Sequence, residues 1–508
     1  MGLVGLIVAL FFLMKDPKFV SWGMRTMFTF QFRKPPELPN AAQRKPLELP
    51  GLILEAPNSA QAAELYRQTA VWDVQLAFRS NEWAALAPKR IPPLPVFIGK
   101  DGSVVVRNPE ASRPGILGVL GMDLQWASGN LTFAGIPFTH APIRFKGNGT
   151  FVESAKTFKK PFKIDLSRSD PPRSLMGRSV LNLANLAADR SYLSDSMAYA
   201  FFQSAGVIAP RTAYARVRLS VEGLFNDRLL GLYALIENPD TEWAREAFGG
   251  ARVTLFKPVT ENLFQDLGDS WEHYRDVYSP RGKVKTAERD RLIQLCRLVT
   301  SASDADFAAR LGEFIDLDAF ARFMACQVLL SNYDSFLCNG QNYLMYLNSG
   351  SGKFGFIPWD LDHSWGEFAM VMRVDAREHA SIEHPWVGEH RFLERCFAVD
   401  AFRKRYNATL RSLLETEFTA EKLFPQVDHI AQAIRPFVQE EGTPERFERF
   451  EQCSSGAWVP GIRDSSNPMS DNRPAHQIKR FILNRRISVL DQLDGRTIGI
   501  RPMRNSNN

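Results

Sequence analysis

The sequence predicts an α+β fold, rich in strands through its first half and helical beyond it, on three observations. Short alternating or continuously apolar runs recur from Asp73 to Ile236, each closed by glycine, proline or asparagine and too short for a helix. From Ala287 onward the apolar residues fall at helical spacing instead. With 508 residues, 45% of them hydrophobic and 23% charged, the chain can bury a large core yet exceeds one ordinary domain, so two or three packed units are expected.

The N-terminus stands apart from both halves. Residues 2–14 (GLVGLIVALFFLM) are continuously apolar but shorter than the roughly 20 residues needed to span a bilayer. They lack the basic n-region and small-residue cleavage site of a signal peptide, and read first as a truncated signal anchor followed by Lys15, Lys18 and Arg25, with a mis-called start or a buried segment as the alternatives. Inserted as written, those charges would keep the body of the chain on the cytoplasmic side. A membrane-anchored or exported cell-envelope protein is the favoured setting. Arg33 to about Pro57 is proline-rich without periodicity and reads as an extended linker.

In the strand-rich half, Asp73–Phe78 and Leu94–Ile98 read as strands, with a helical turn over Asn81–Leu86. Leu131–Ala134 and Ala141–Phe145 form a strand pair whose loop contains the breakers Gly135 and Pro137. Lys160–Leu166 alternates as a strand. Val180–Gln203 places Leu181, Ala184, Leu193, Met197 and Ala200 near one face and predicts a pair of amphipathic helices. Ala213–Leu219 and Leu229–Ile236 read as a hairpin of buried strands.

In the second half, Arg291–Val299 and Leu317–Leu330 have helical spacing. Strands follow at Asn342–Leu347 and Lys353–Pro358 across the turn NSGSG. Helices resume over Arg391–Glu415 and Ile478–Leu493.

Composition excludes several functions. The net charge of +6 is a small excess of 62 basic over 56 acidic residues, with no basic stripe interleaved with aromatics, so no nucleic-acid partner is expected. Five cysteines, odd in number and without CxxC spacing, support neither a disulfide framework nor a zinc site and read as buried small hydrophobes. His379, His384 and His390 lack the spacing of a helix-borne metal pair. GxSxG and P-loop motifs are also missing.

The chemistry concentrates between Asn332 and Gly366. Asp334 ends a helix, Asn342 opens the hairpin, and Asp360 closes it within Trp359-Asp360-Leu361-Asp362. By spacing alone such residues would serve as caps and turns. Two carboxylates leaving one apolar strand, however, repel each other unless a cation sits between them. Phosphoryl transfer calls for this combination: one carboxylate to accept a hydroxyl proton, and an Asn and a second Asp to hold Mg2+ against phosphate oxygens.

The stretch NYD, then NYLMY, then GKFGFIPWDLDHSWG resembles the signature of the CotH spore-coat kinase family, an atypical protein kinase family. The blocks WDVQLAFRSNEWAAL, IRFKGNGTFVESAKTFKKPFKIDL, RLSVEGLFNDRLLGLYALIENPD and IKRFILNRRISVLDQL resemble the family's successive segments in the same order, from Val71 to Leu493.

The resemblance implies a two-lobed, protein kinase-like α+β fold. Its parts would be an apolar segment with a basic flank (1–32), a linker (33–70), a mainly β N-lobe (71–240), a mainly helical C-lobe (241–493) and a tail (494–508). It implies transfer of the ATP γ-phosphate to Ser or Thr of a protein substrate with Mg2+ or Mn2+, in coat or cell-envelope assembly. The alternative is a non-catalytic scaffold of the same fold.

Carried over by residue, the resemblance makes Asp334 the catalytic base, Asn342 a metal or phosphate-orienting ligand and Asp360 the principal metal ligand, with Asp362 assisting or orienting it. Lys146, Gly147, Asn148 and Gly149 would cover the nucleotide phosphates, and two glycines there permit close backbone approach. Lys163, preferred to Lys159 and Lys160, would pair with the phosphates, and Glu237 would sit where a hinge meets adenine. The sequence departs from the family pattern at Lys146, where Arg is commoner, at Cys338, and at Gln341, which replaces a His. None of these departures removes a proposed metal ligand.

Overall fold

The computed structural model describes residues 51–53, 61–91, 96–98, 104–106, 116–442, 444–455 and 477–505, and its secondary structure mixes helices and sheets. The apolar run at 2–14 and most of the predicted linker lie outside the described residues. Among the described residues no helix is long and apolar enough to cross a membrane. The chain divides into two compact units, one comprising 1–60, 71–187 and 215–235, the other 61–70, 188–214 and 236–508.

The first unit is built on seven strands: β1 Val71–Phe78, β2 Trp126–Phe133, β3 Ile136–Phe145, β4 Phe162–Asp165, β5 Val180–Ala184, β6 Thr212–Val221 and β7 Phe225–Glu237. Their order is β1-β6-β7-β5-β4-β3-β2, and β2 returns to β1, so the sheet closes into a barrel. The closing seam is antiparallel, with Val74 opposite Phe133 and Leu76 opposite Leu131. Closure removes the free edges that an open sheet would have to protect. Alternation along the strands separates two faces. Ala127, Ile143, Ile164 and Leu181 lie side by side in register and are all buried. The next row, on the opposite face, is Trp126, Arg144, Lys163 and Asn182. Aromatic pairs fill the interior, including Trp72 with Phe133 and Phe145 with Phe162, both at 5.5 Å between ring centroids.

Closure is the main departure from expectation in this half, because period-two alternation shows that strands exist without showing which of them pair. Two local expectations also change. Val180–Ala184 is a strand and only Ser194–Ser204 is a helix, where two helices were predicted. VLNLA is buried almost throughout, and a short, fully buried apolar run carries no periodicity to separate strand from helix. Pro137 lies within β3 opposite Thr132 instead of breaking the pair. The turn is confined to Ala134 (φ 45°) and Gly135 (φ 80°), both left-handed as a two-residue hairpin turn requires.

The second unit is mainly helical. Its larger helices are α1 Ser194–Ser204, α2 Thr286–Ser301, α3 Leu317–Leu329, α4 Asp400–Thr416, α5 Ala420–Glu441 and α6 Ile478–Leu493. The helical stretch expected over Arg391–Glu415 is two helices, Arg391–Ala398 and Asp400–Thr416, separated at Val399. α5 runs through Pro425 and Pro436 and went unanticipated, since proline ordinarily ends a helical pattern. A three-stranded antiparallel sheet, β8 Val253–Phe256, β9 Tyr343–Asn348 and β10 Lys353–Pro358, adds β8 to the predicted hairpin.

An aromatic cluster fixes this sheet to the helices. Phe356 of β10 lies 5.0 Å from Phe320 and 5.4 Å from Phe323, both on α3, and 5.3 Å from Phe336. All five cysteines are buried, as expected. Burial pushes the Cys296 thiol up to about 12, which leaves it without nucleophilic character near neutral pH.

Candidate functional site

The predicted metal and proton-transfer residues fall together in the second unit, at the open end of the β9–β10 hairpin. Tyr343 is paired with Pro358, and the amide of Trp359 donates to the carbonyl of Asn342 at 3.2 Å. The hairpin register therefore brings Asn342 next to the strand that leads into Asp360. Both residues have left-handed backbones, φ 59° for Asn342 and 58° for Asp360. Asn and Asp tolerate that region better than other residues with a Cβ.

Asp334 lies on the turn after α3 and is half-buried. Two neighbouring amides hold its carboxylate: Asn339 Nδ2 donates to Oδ1 at 2.6 Å, and Gln341 Nε2 donates to the same atom at 3.2 Å. Asn342 Nδ2 donates to the Asp334 carbonyl at 2.7 Å. Gln341, the residue that departs from the family's His, thus makes a direct contact with the proposed base. Two residues along, Phe336 packs 5.1 Å from Tyr343 and anchors the turn on the hairpin. Gly340 closes the loop, with φ 57° and a carbonyl that accepts from the Thr260 amide at 3.0 Å. A Cβ at Gly340 would collide with the Thr260 carbonyl, so glycine is required here.

Asp360 is half-buried and Asp362 is buried. The Asp360 amide donates to Tyr199 Oη at 3.0 Å, and the Leu361 amide donates to Asp195 Oδ1 at 2.9 Å. Burial raises the Tyr199 hydroxyl well above its ordinary range, and the carboxylates of Asp195, Asp360 and Asp362 add to the rise. Tyr199 and Asp195 are the residues that the sequence reading missed. Their only signal was their placement four apart on a helix, which marks one face but not what that face meets.

Glu237, assigned to a hinge, is fully buried and committed to Arg211. The guanidinium reaches both carboxylate oxygens, Nε to Oε2 at 3.0 Å and Nη2 to Oε1 at 2.6 Å, and the Arg211 amide donates to Oε2 at 3.1 Å. The Glu237 amide in turn donates to the Arg211 carbonyl at 3.0 Å. This pair borders a cavity of about 400 Å³ that Trp243 and Glu246 also line.

The residues assigned to the nucleotide phosphates lie in the first unit. Gly147 has φ 78°, and a Cβ there would collide with Thr150 Oγ1. Gly149 faces open space and begins a short helix, Gly149–Glu153, so only one of the two glycines is conformationally required. The Lys146 amide donates to the Pro161 carbonyl at 2.9 Å, and Asn148 lies between the two glycines.

Of the three candidate lysines, Lys163 is half-buried on β4 between Arg144 and Asn182. Lys159 lies over the Tyr233 ring at 5.5 Å. Lys160 is buried at 8% exposure, donates to the Ser154 carbonyl and lies 5.2 Å from the Phe151 ring centroid. Burial lowers its ammonium to about 7.

A barrel unit and a helical unit, with two acids and an amide gathered at the end of a hairpin in the latter, define an α+β protein. The chain belongs to the CotH family: residues 143–489 match the family described as CotH kinase protein. It is 27% identical over 301 residues to the inner spore coat protein H of Bacillus subtilis (strain 168), an alignment covering 57% of this chain and 78% of that relative. It is 23% identical over 258 residues to the inner spore coat protein H-like protein of the same organism, covering 50% of this chain and 68% of that relative.

Proposed function

We propose that this protein is a two-lobed, kinase-like phosphotransferase that moves the γ-phosphate of ATP to Ser or Thr hydroxyls of a protein substrate in spore-coat or cell-envelope assembly. The observation that carries this reading is the joining of Asp334, Asn342 and Asp360 at one hairpin end, in a chain of the CotH family.

Asp334, held by the amides of Asn339 and Gln341, accepts the proton of the substrate hydroxyl. Asp360 and Asn342 would hold Mg2+ or Mn2+, with Asp362 behind them. Among the described residues no group of three or more His, Cys, Asp or Glu side chains is placed to bind a metal. A small donor set of carboxylate and amide oxygens nevertheless suits Mg2+, which keeps several waters and takes its remaining ligands from substrate phosphates. When bound, the ion would neutralise charge on the phosphate oxygens. Lys146, Gly147, Asn148, Gly149 and Lys163 are assigned to the nucleotide. Glu237 is assigned to the adenine hinge through its main-chain groups, its carboxylate being held by Arg211.

The test is intact mass after incubation with Mg2+ and ATP, for wild type and Asp360→Ala. Wild type should gain phosphate on itself or on an added protein substrate, and the variant should not. A thermal shift with Mg-ATP in wild type and none in the variant would accompany this, since a ligand at 100 times its Kd stabilises the native state by about 2.7 kcal/mol. A wild-type protein that neither transfers phosphate nor responds to any nucleotide is a scaffold, and the kinase reading then fails.

A further inference from the structure

One helix holds the backbone that carries the proposed metal ligand at two consecutive amides. Asp195 and Tyr199 lie four residues apart on α1 and therefore share a face. Tyr199 Oη accepts from the Asp360 amide at 3.0 Å, and Asp195 Oδ1 accepts from the next amide, Leu361, at 2.9 Å. Ser194 continues the same hold, its carbonyl accepting from the Trp365 indole at 3.3 Å. The segment needs such support: Asp360 (φ 58°), Trp365 (φ 65°) and Gly366 (φ 75°) are all left-handed. A left-handed residue with a Cβ persists only where its surroundings compensate for the strain.

We propose that α1 is the positioning element of the metal site, with Tyr199 and Asp195 acting as a two-point latch on the Asp360–Leu361 backbone that presents the Asp360 carboxylate to a divalent cation. This rests on the kinase reading above. Neither residue needs to touch the ion; both act through Asp360, as outer-shell groups do in metal sites. A shift of α1 would move both acceptors together, so the site's metal affinity is tied to the position of this helix.

The test uses the full chain, titrated with Mn2+ in the presence of ATP, with the melting temperature of the ligand-free protein measured alongside. Tyr199→Phe keeps the ring and removes the acceptor. Asp195→Ala removes the second acceptor, whereas Asp195→Asn retains an oxygen that can still accept from Leu361. The Mn2+ half-saturation should rise about tenfold or more in Tyr199→Phe and Asp195→Ala. Asp195→Asn should remain near wild type, and saturating Mn2+ should restore binding in all three.

A purely structural role would lower the melting temperature and leave half-saturation of the folded fraction unchanged. That result, with wild type binding Mn2+ and ATP normally, overturns the latch and leaves the kinase reading standing. A wild-type protein that binds no Mn2+ with ATP overturns both.

Discussion

Asn342 Nδ2 donates to the main-chain carbonyl of Asp334 at 2.7 Å, so the amide assigned to the metal also pins the residue assigned to the proton. The bond crosses from the end of the α3 turn to the start of β9 and couples the two halves of the site. Its removal can be separated from backbone strain, because Asn342 has φ 59°. Asn342→Gly loses the bond but accepts the conformation, whereas Asn342→Ala loses the bond and adds strain. In denaturant unfolding the Ala variant should be less stable than the Gly variant by about 1 kcal/mol, and both should transfer phosphate more slowly than wild type. Equal stability of the two variants would show that the left-handed backbone is not retained in solution.

Asp334 should separate binding from turnover. Its Oδ1 receives two amide donors, and an Asn at this position can still present an oxygen to both. Asp334→Asn should therefore keep the thermal shift produced by Mg-ATP and lower the phosphorylation rate by about 10²–10⁴-fold, the usual contribution of a general base. A variant as active as wild type would remove Asp334 from the proton-transfer role.

Much of this site is legible in the sequence because its parts are local. Asn342 and Asp360 flank a hairpin whose strands alternate clearly around NSGSG, and Asp334 lies a few residues before it. The latch was not legible. Tyr199 and Asp195 reach Asp360 and Leu361 across more than 150 positions of chain, and nothing in either segment's spacing encodes that meeting. The barrel follows the same rule: its strands can be read from alternation, but its closure depends on the pairing of β1 with β2. Periodicity also misled at Val180–Ala184, where burial of nearly every residue erased the pattern that distinguishes a strand.

The Arg211–Glu237 pair gives a stability prediction independent of catalysis. Glu237 is fully buried, and its carboxylate receives the guanidinium at 2.6 and 3.0 Å and the Arg211 amide at 3.1 Å. Arg211→Met leaves that carboxylate with the residue-211 amide as its remaining partner and should cost about 1–3 kcal/mol, the guanidinium being itself 25% exposed. The double variant Arg211→Met/Glu237→Gln should recover part of the loss, measured by denaturant unfolding. If the single variant unfolds like wild type, water reaches Glu237 and the pair is not a buried one.

Lys160 should leave a pH signature on stability. Burial lowers its ammonium from 10.5 to about 7 in the folded chain. Below pH 7 both states carry the proton, and the folded state bears the whole cost of the buried charge. Between pH 7 and 10.5 the folded state sheds the proton while the unfolded chain keeps it, so unfolding takes up a proton and stability rises with pH. Above 10.5 both states are neutral and the cost is gone. Lys160→Met has no ammonium and should lack this slope. Its stability relative to wild type should therefore be most favourable near pH 6.5 and fall by about 2 kcal/mol from pH 7 to pH 9. Parallel unfolding curves for the two proteins across that window would mean that Lys160 stays charged at its contact with the Ser154 carbonyl.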